Sequence, residues 1–185
     1  MKRILYYAVF ILLLIACRPG GDPEEQPQPQ PQTNVMVHNG KSYKLTKHFV
    51  YVDTVYGRFY NEHLYSYSFV LLSDGFTVMY DSTDFTEFSG KGEAASFDII
   101  SDQNPPKDGS YVFSEDEGAG KLMYSFLAVG YDEALDSSEQ EIETASGSTL
   151  KFAAKNPAKK EYRLEVSTPA FQGAFEGPFV IFKDY

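Results

Sequence analysis

Thr149-Leu150-Lys151-Phe152 and Tyr162-Arg163-Leu164-Glu165-Val166 alternate apolar and polar side chains more cleanly than any other part of this chain. Alternation with period two places one set of side chains on a core and the other in water, the pattern of a half-buried strand. The polar, proline-containing stretch Lys155-Asn156-Pro157-Ala158-Lys159-Lys160 joins the two runs. The pair therefore predicts a hairpin, and one solvated face per strand suits antiparallel pairing.

Working back toward the N-terminus, the same period recurs with turn punctuation. Val35-Met36-Val37-His38 and Ser42-Tyr43-Lys44-Leu45 flank Asn39-Gly40, a dipeptide that supplies the positive φ angles of a tight hairpin turn. Phe49 to Tyr56 is rich in β-branched and aromatic residues and stops near Gly57. Leu64 to Leu72 follows, then the turn Asp74-Gly75 and the return Phe76 to Tyr80. Phe85 to Phe88 and Ala94 to Ile100 read as two further strands parted by Gly90-Lys91-Gly92. Pro105-Pro106-Lys107-Asp108-Gly109 is a loop signal, followed by a short strand at Tyr111-Val112-Phe113 and a longer one at Leu122 to Val129. Asp132 to Glu141 is acidic and polar, the expected long loop, with room for one helical turn. Gly173 to Phe182 forms a last run. No stretch carries a convincing long amphipathic helix. The expectation is an all-β domain, an antiparallel meander forming a β-sandwich or an up-and-down, calycin-like β-barrel.

The N-terminal end obeys a different rule. Lys2 and Arg3 precede an almost uncharged apolar run from Ile4 to Ile15, the layout of a signal peptide. That run is shorter than the roughly 20 residues a spanning helix needs. Leu14-Ile15-Ala16-Cys17 resembles the bacterial lipobox, in which a small residue precedes an obligatory cysteine. That resemblance implies cleavage after residue 16, diacylation of the Cys17 thiol and acylation of the new N-terminus. Acyl chains contribute about 0.8 kcal/mol per buried methylene, and stable attachment takes two signals or more, which a triacylated Cys17 supplies. Residues 18–33 then hold Pro19-Gly20-Gly21-Asp22-Pro23-Glu24-Glu25 and an alternating Gln/Pro tract from Gln26 to Gln32. Lacking large apolar residues, such a tract cannot offset its ordering entropy, and its prolines favour an extended spacer at about 3.1 Å per residue. The expected division is a leader at 1–16, a lipidated cysteine and tether at 17–33, and one β domain at 34–185.

Charge and cysteine count narrow the partners. The chain carries a formal net charge of -10 and would lose Lys2 and Arg3 with the leader, leaving -12. A field of that sign repels phosphodiester backbones, so nucleic-acid binding is not expected. Cys17 is the sole cysteine, so the domain builds neither a disulfide nor a thiolate metal site. About 150 residues bury about 70% of their unfolded surface, enough for a core without such staples.

Chemistry-bearing motifs are few. His38, His48 and His63 fall at no metal-motif spacing and are expected at exposed strand ends. There is no Gly-x-Ser-x-Gly elbow, and Ala145-Ser146-Gly147-Ser148-Thr149 reads as a strand-initiating turn. Asp81, Asp84 and Glu87, and the run Glu115-Asp116-Glu117, offer carboxylates for glycosidase-like pairs or calcium. They lie beside turns, where solvated acids are ordinary. No cofactor or metal is expected and catalysis is not. Tyr51, Tyr56, Tyr60, Tyr65 and Tyr67 crowd around Gly57 as a candidate ligand-binding patch. The competing expectation is that the same rings form core and cross-strand pairs, and the absence of tryptophan weakens a sugar platform.

Pro106, Gly109 and Tyr111, then Ser146-Gly147-Ser148-Thr149-Leu150, Tyr162 to Val166, and Gly173-x-Phe175-x-Gly177-Pro178 occur in an order similar to the C-terminal half of uncharacterised lipoproteins of gut Bacteroidetes. The resemblance spans about the last 90 residues of the chain. It implies a lipid-anchored all-β domain with no established activity, and its turn glycines and core aromatics carry over no functional residue. Asp22, Glu24 and Glu25 loosely resemble the surface-export signal of such lipoproteins. The expected setting is the outer membrane, facing outward. The expected role is a non-catalytic module whose loops bind a glycan, protein or small hydrophobic ligand. A lipocalin-like carrier and a carbohydrate-active enzyme or accessory protein are the alternatives. Replacing Cys17 by Ser is expected to abolish palmitate incorporation and cleavage after residue 16, read by metabolic labelling and intact mass.

Overall fold

The computed structural model describes residues 32–56, 63–80, 85–116, 118–143 and 146–183. The strands, in chain order, are β1 (Val35–His38), β2 (Lys41–Lys44), β3 (Lys47–Tyr56), β4 (His63–Leu72), β5 (Phe76–Tyr80), β6 (Phe85–Ser101), β7 (Gly109–Phe113), β8 (Lys121–Asp132), β9 (Gln140–Glu143), β10 (Thr149–Asn156), β11 (Glu161–Ser167), β12 (Phe171–Pro178) and β13 (Val180–Lys183). Short 3-10 turns at Glu133–Leu135 and Pro157–Lys159 are the helical pieces among the described residues.

The hairpin that the alternation predicts is β10–β11, paired antiparallel from Thr149↔Ser167 to Asn156↔Glu161. Leu150, Phe152, Tyr162, Leu164 and Val166 all point inward and are buried. Its turn is locally determined. Pro157 opens the 3-10 turn, the Asn156 side chain accepts from the Lys159 amide, and Lys160 closes it in the left-handed conformation. β12 extends the hairpin antiparallel to β11, β1 lies antiparallel to β12, and β2 folds back on β1. The β1–β2 turn is Asn39-Gly40, with φ of 49° and 73°, the two positive values a two-residue hairpin needs.

β3, β4, β6 and β8 form the other wall, each antiparallel to the next. The walls join where β7 lies between β8 and β10, giving the order β13-β3-β4-β6-β8-β7-β10-β11-β12-β1-β2. This all-β sheet curls into a half-barrel. Two pairings are parallel, β7 with β8 and β13 with β3. Periodicity along one strand carries no information on a partner's direction, so these two were not legible as anything but antiparallel.

The interior of the curl is filled by rings from both walls. Phe69 on β4 lies 6.0 Å from Phe152 and 5.9 Å from Phe179, ring centre to ring centre. Phe97 on β6 meets Phe171 and Phe175 at 6.4 and 6.5 Å. A second cluster, built on Phe49, Leu72, Phe76 and Phe182, covers the outer face of the β3 wall. It explains why Phe49-Val50-Tyr51-Val52 is apolar throughout: Val50 and Val52 join the inner core while Phe49 and Tyr51 join the outer cluster.

The expected break at Gly90-Lys91-Gly92 is not a break. Phe85–Ser101 is one strand, whose first part pairs with β5 and whose second part pairs with β4 and β8. The glycines serve close backbone approach instead: a Cβ on Gly75 would stand 2.0 Å from the Lys91 carbonyl oxygen, and one on Gly90 2.3 Å from that of Gly75. The C-terminal run does break, at Phe179, whose amide donates to the Lys160 carbonyl at 2.9 Å before the chain joins β3 as β13. Among the described residues no helix is long and apolar enough to cross a membrane.

Phe179 is the ring most exposed to test. It touches Phe69, Tyr162 and His48, elements far apart in the sequence. Phe179→Ala is expected to lower the unfolding free energy by about 3–5 kcal/mol, measured as a drop in the urea midpoint at unchanged m-value.

Candidate functional site

The strict alternation that buries one face of the β10–β11 hairpin presents the other. Lys151, Ala153 and Lys155 on β10, and Arg163 and Glu165 on β11, border a groove of about 310 Å³ whose far side is Gly109 and Ser110 of β7. Register places Ser110 beside Lys151, Lys151 beside Glu165, and Ala153 beside Arg163. The floor is made by small residues, so the concavity follows from side-chain size between taller neighbours. A volume of this size lies at the low end of small-ligand sites.

Arg163 is held in place. Its Nε donates to Glu165 Oε1 at 2.9 Å, its Nη2 approaches the same oxygen at 2.8 Å, and its Nη1 donates to Glu176 Oε2 at 2.7 Å. The two carboxylates, Glu176 first, raise the guanidinium further above its already high value. Lys151 Nζ stands 3.9 Å from Glu165 Oε2. Pairs this open to water contribute about 0–1 kcal/mol each, so they add little stability. What they do is fix a planar fork that still has two of its five N–H groups to offer.

The sequence-predicted tyrosines do not converge. Tyr51 and Tyr67 stand on opposite faces of the sheet, because Tyr51 pairs with Ser68 while Tyr67 pairs with Val52. Tyr51 lies 5.1 Å from Phe182 in the outer cluster. Tyr67 is 3% exposed and its hydroxyl donates to the Gln103 carbonyl; burial, then neighbouring Tyr65, Tyr162 and Tyr111, pushes its pKa up. Tyr65 packs half-buried against the inner core, 6.5 Å from Tyr67. The Tyr56 side chain and Tyr60 lie outside the described residues, as do Cys17, Asp81, Asp84, Glu117 and the side chains of His63 and Glu87.

Two histidines expected at exposed strand ends are buried instead. His38 Nδ1–H donates to the Ala170 carbonyl at 2.8 Å and its Nε2 accepts from the Asn39 amide at 2.9 Å. His48 donates from Nε2 to the Leu45 carbonyl and packs 5.0 Å from Phe179. Burial lowers its pKa, against the opposing backbone bond. For each ring a satisfied polar tip is what permits the burial. Glu115 and Asp116 are exposed. Among the described residues no group of three or more His, Cys, Asp or Glu could hold a metal ion.

Sequence reasoning passed over two features. One is the groove, signalled by five cations between Lys151 and Arg163 in an acidic chain. The other is Asp98, a carboxylate set between Phe97 and Ile99 on β6. It lies between Ser68 and Tyr124 in register, and its Oδ1 is buried with no hydrogen-bond partner among the described residues. Desolvation raises its pKa while the Ser68 hydroxyl pulls the other way. Tyr124 stacks on Phe126 at 6.1 Å; burial and nearby Glu143 push its phenol up to about 12.

No family model, curated protein or solved structure matches the chain.

A folded-state pKa raised above the unfolded value makes Asp98 a favourable group at low pH and an unfavourable one once it ionises in the fold. Asp98→Asn is therefore expected to raise the urea midpoint at pH 7, with the gain shrinking as pH falls toward 4. A variant less stable than wild type at pH 7 would contradict this.

Proposed function

We propose that this chain is an outer-membrane lipoprotein, held by acyl chains on Cys17, whose β domain binds a ligand on its outer sheet face without transforming it. The observation that carries this reading is the groove over Gly109, Ser110 and Ala153 with Arg163 locked at its wall. A preset donor costs little to order on binding, which is what a recognition site gains from such an arrangement. The mutual contact of Phe69, Phe152, Phe97 and Phe175 favours binding outside the curl over a carrier that stores an apolar ligand inside it. The site then sits on strands, which hold geometry better than the loops from which binding was first expected.

Intact chain on a mixed glycan and peptide array is expected to give hits that Ala153→Tyr removes, because a ring at that position fills the groove while leaving the inner face untouched. Hits that survive the substitution would move the site elsewhere. A lipid copurifying in stoichiometric amount would favour the carrier.

A further inference from the structure

We infer that the groove takes an acidic sugar residue, its carboxylate read by the lysines and its hydroxyls by Glu165, Ser110 and the free edge of Arg163. This rests on the groove being the binding site, as proposed above, and adds the class of ligand.

The charge pattern supplies the first argument. The chain is acidic, with a net charge of -10, yet Lys151, Lys155, Lys159, Lys160 and Arg163 cluster in one hairpin against two acids, Glu161 and Glu165. Lys151 and Lys155 bracket Ala153 on the same strand, about 13 Å apart by strand rise. An anionic group on a ligand crossing the small-residue floor meets an ammonium at either end. The attraction such cations exert on an anion is local to this hairpin.

The mixture of donors and acceptors supplies the second. Glu165 repels a bare inorganic anion, but a ligand that also carries hydroxyl donors satisfies it. Ser110 both donates and accepts. Two N–H groups of Arg163 remain after its bonds to Glu165 and Glu176, suited to ring or hydroxyl oxygens or to one carboxylate edge. Sugar acids present this combination on one compact ring.

The floor and the strand edges supply the third. Phe152 also lines the groove but is 3% exposed, so the floor of Gly109, Ser110 and Ala153 gives a peptide anchor or an acyl chain little to bury against, and a Cβ on Gly109 would meet nothing within 4 Å. β10 is paired with β11 along its length and with β7 as far as Phe152, beyond which the Ala154 amide donates to Asp108 Oδ1, so little backbone edge is left for an added peptide strand.

The test is calorimetric titration of the intact chain with trigalacturonate, trimannuronate and a hyaluronan tetrasaccharide, beside methyl-esterified trigalacturonate and maltotriose as neutral controls. At least one uronate is expected to bind roughly tenfold tighter than the neutral sugars, with affinity falling as ionic strength rises. Lys151→Gln and Lys155→Gln, exposed and outside the core, are expected to cost most of that preference while keeping the wild-type urea midpoint. Ala153→Tyr is expected to abolish binding. No uronate binding, or equal affinity for charged and neutral sugars, overturns the ligand class; if Ala153→Tyr still removes array hits, the groove stands without it. Uronate binding indifferent to Ala153→Tyr overturns the groove as the site and this inference with it.

Discussion

The curl is held closed by residues at two chain crossings. Between β2 and β3 the chain passes through Leu45, fully buried, and Thr46, whose amide donates to the Leu72 carbonyl. Between β12 and β13 it passes through Phe179 alone, 3% exposed. Full burial of a large apolar side chain contributes about 1.5–3 kcal/mol, and here the same burial also sets where β13 enters beside β3. With β13 in place, Phe182 stacks on Phe49 and Tyr51, so the outer cluster depends on a contact made on the inner face. His48 completes the crossing by bonding Leu45 while its ring lies on Phe179. Packing, polar satisfaction and topology agree at this one place, the mutual support expected of a sequence that specifies a single fold.

The groove gets its shape from the same alternation that makes the core. From Thr149 to Ala154 the inward and outward residues of β10 alternate, and the ladder with β11 shifts register only before Asn156, so the electrostatic pattern on the surface is registered to the packing beneath. Arg163 faces Ala153 across the ladder because Phe152 faces Leu164. A one-residue slip would bury the cations and expose the aromatics, so the core and the groove share one register. The Arg163 pairs add little to stability in water, and their value is in holding a guanidinium at fixed angle over a floor that makes no demands of its own.

Much of the architecture was legible. The Asn39-Gly40 turn, the β10–β11 hairpin and the alternating faces of β4 and β11 follow from period and turn chemistry, while irregular pairing with β6 breaks the alternation of β8. The misread places share a cause, which is that tertiary contact overrides a local signal. Gly90-Lys91-Gly92 has turn composition, yet its glycines are there so that Gly75 and Lys91 can approach. The two parallel pairings depend on where a chain returns, which no window of sequence contains. His38 and His48 look like surface residues until the tertiary contacts with Ala170 and with Leu45 and Phe179 exist. The tyrosines around Gly57 are close in sequence, but neighbours on paired strands divide between two faces, and Tyr51 and Tyr67 do so. For the groove, the signal was present as a cluster of cations in an acidic chain; what could not be read was that small residues on β7, distant in sequence, would make it concave.

Asn34 joins these themes at the point where the β domain begins. Its amide donates to Ala174, its carbonyl accepts from Leu45 and its side-chain oxygen accepts from the Glu176 amide, and Glu176 is one of the two acids that grip Arg163. Tension delivered along the preceding residues therefore arrives at three bonds together, which must rupture as a set before β1 can peel from β12. The same junction sits one residue from the ion pair that steadies the groove wall. A pull on the groove wall and an opposing pull at Asn34 would load neighbouring bonds across a short span of sheet.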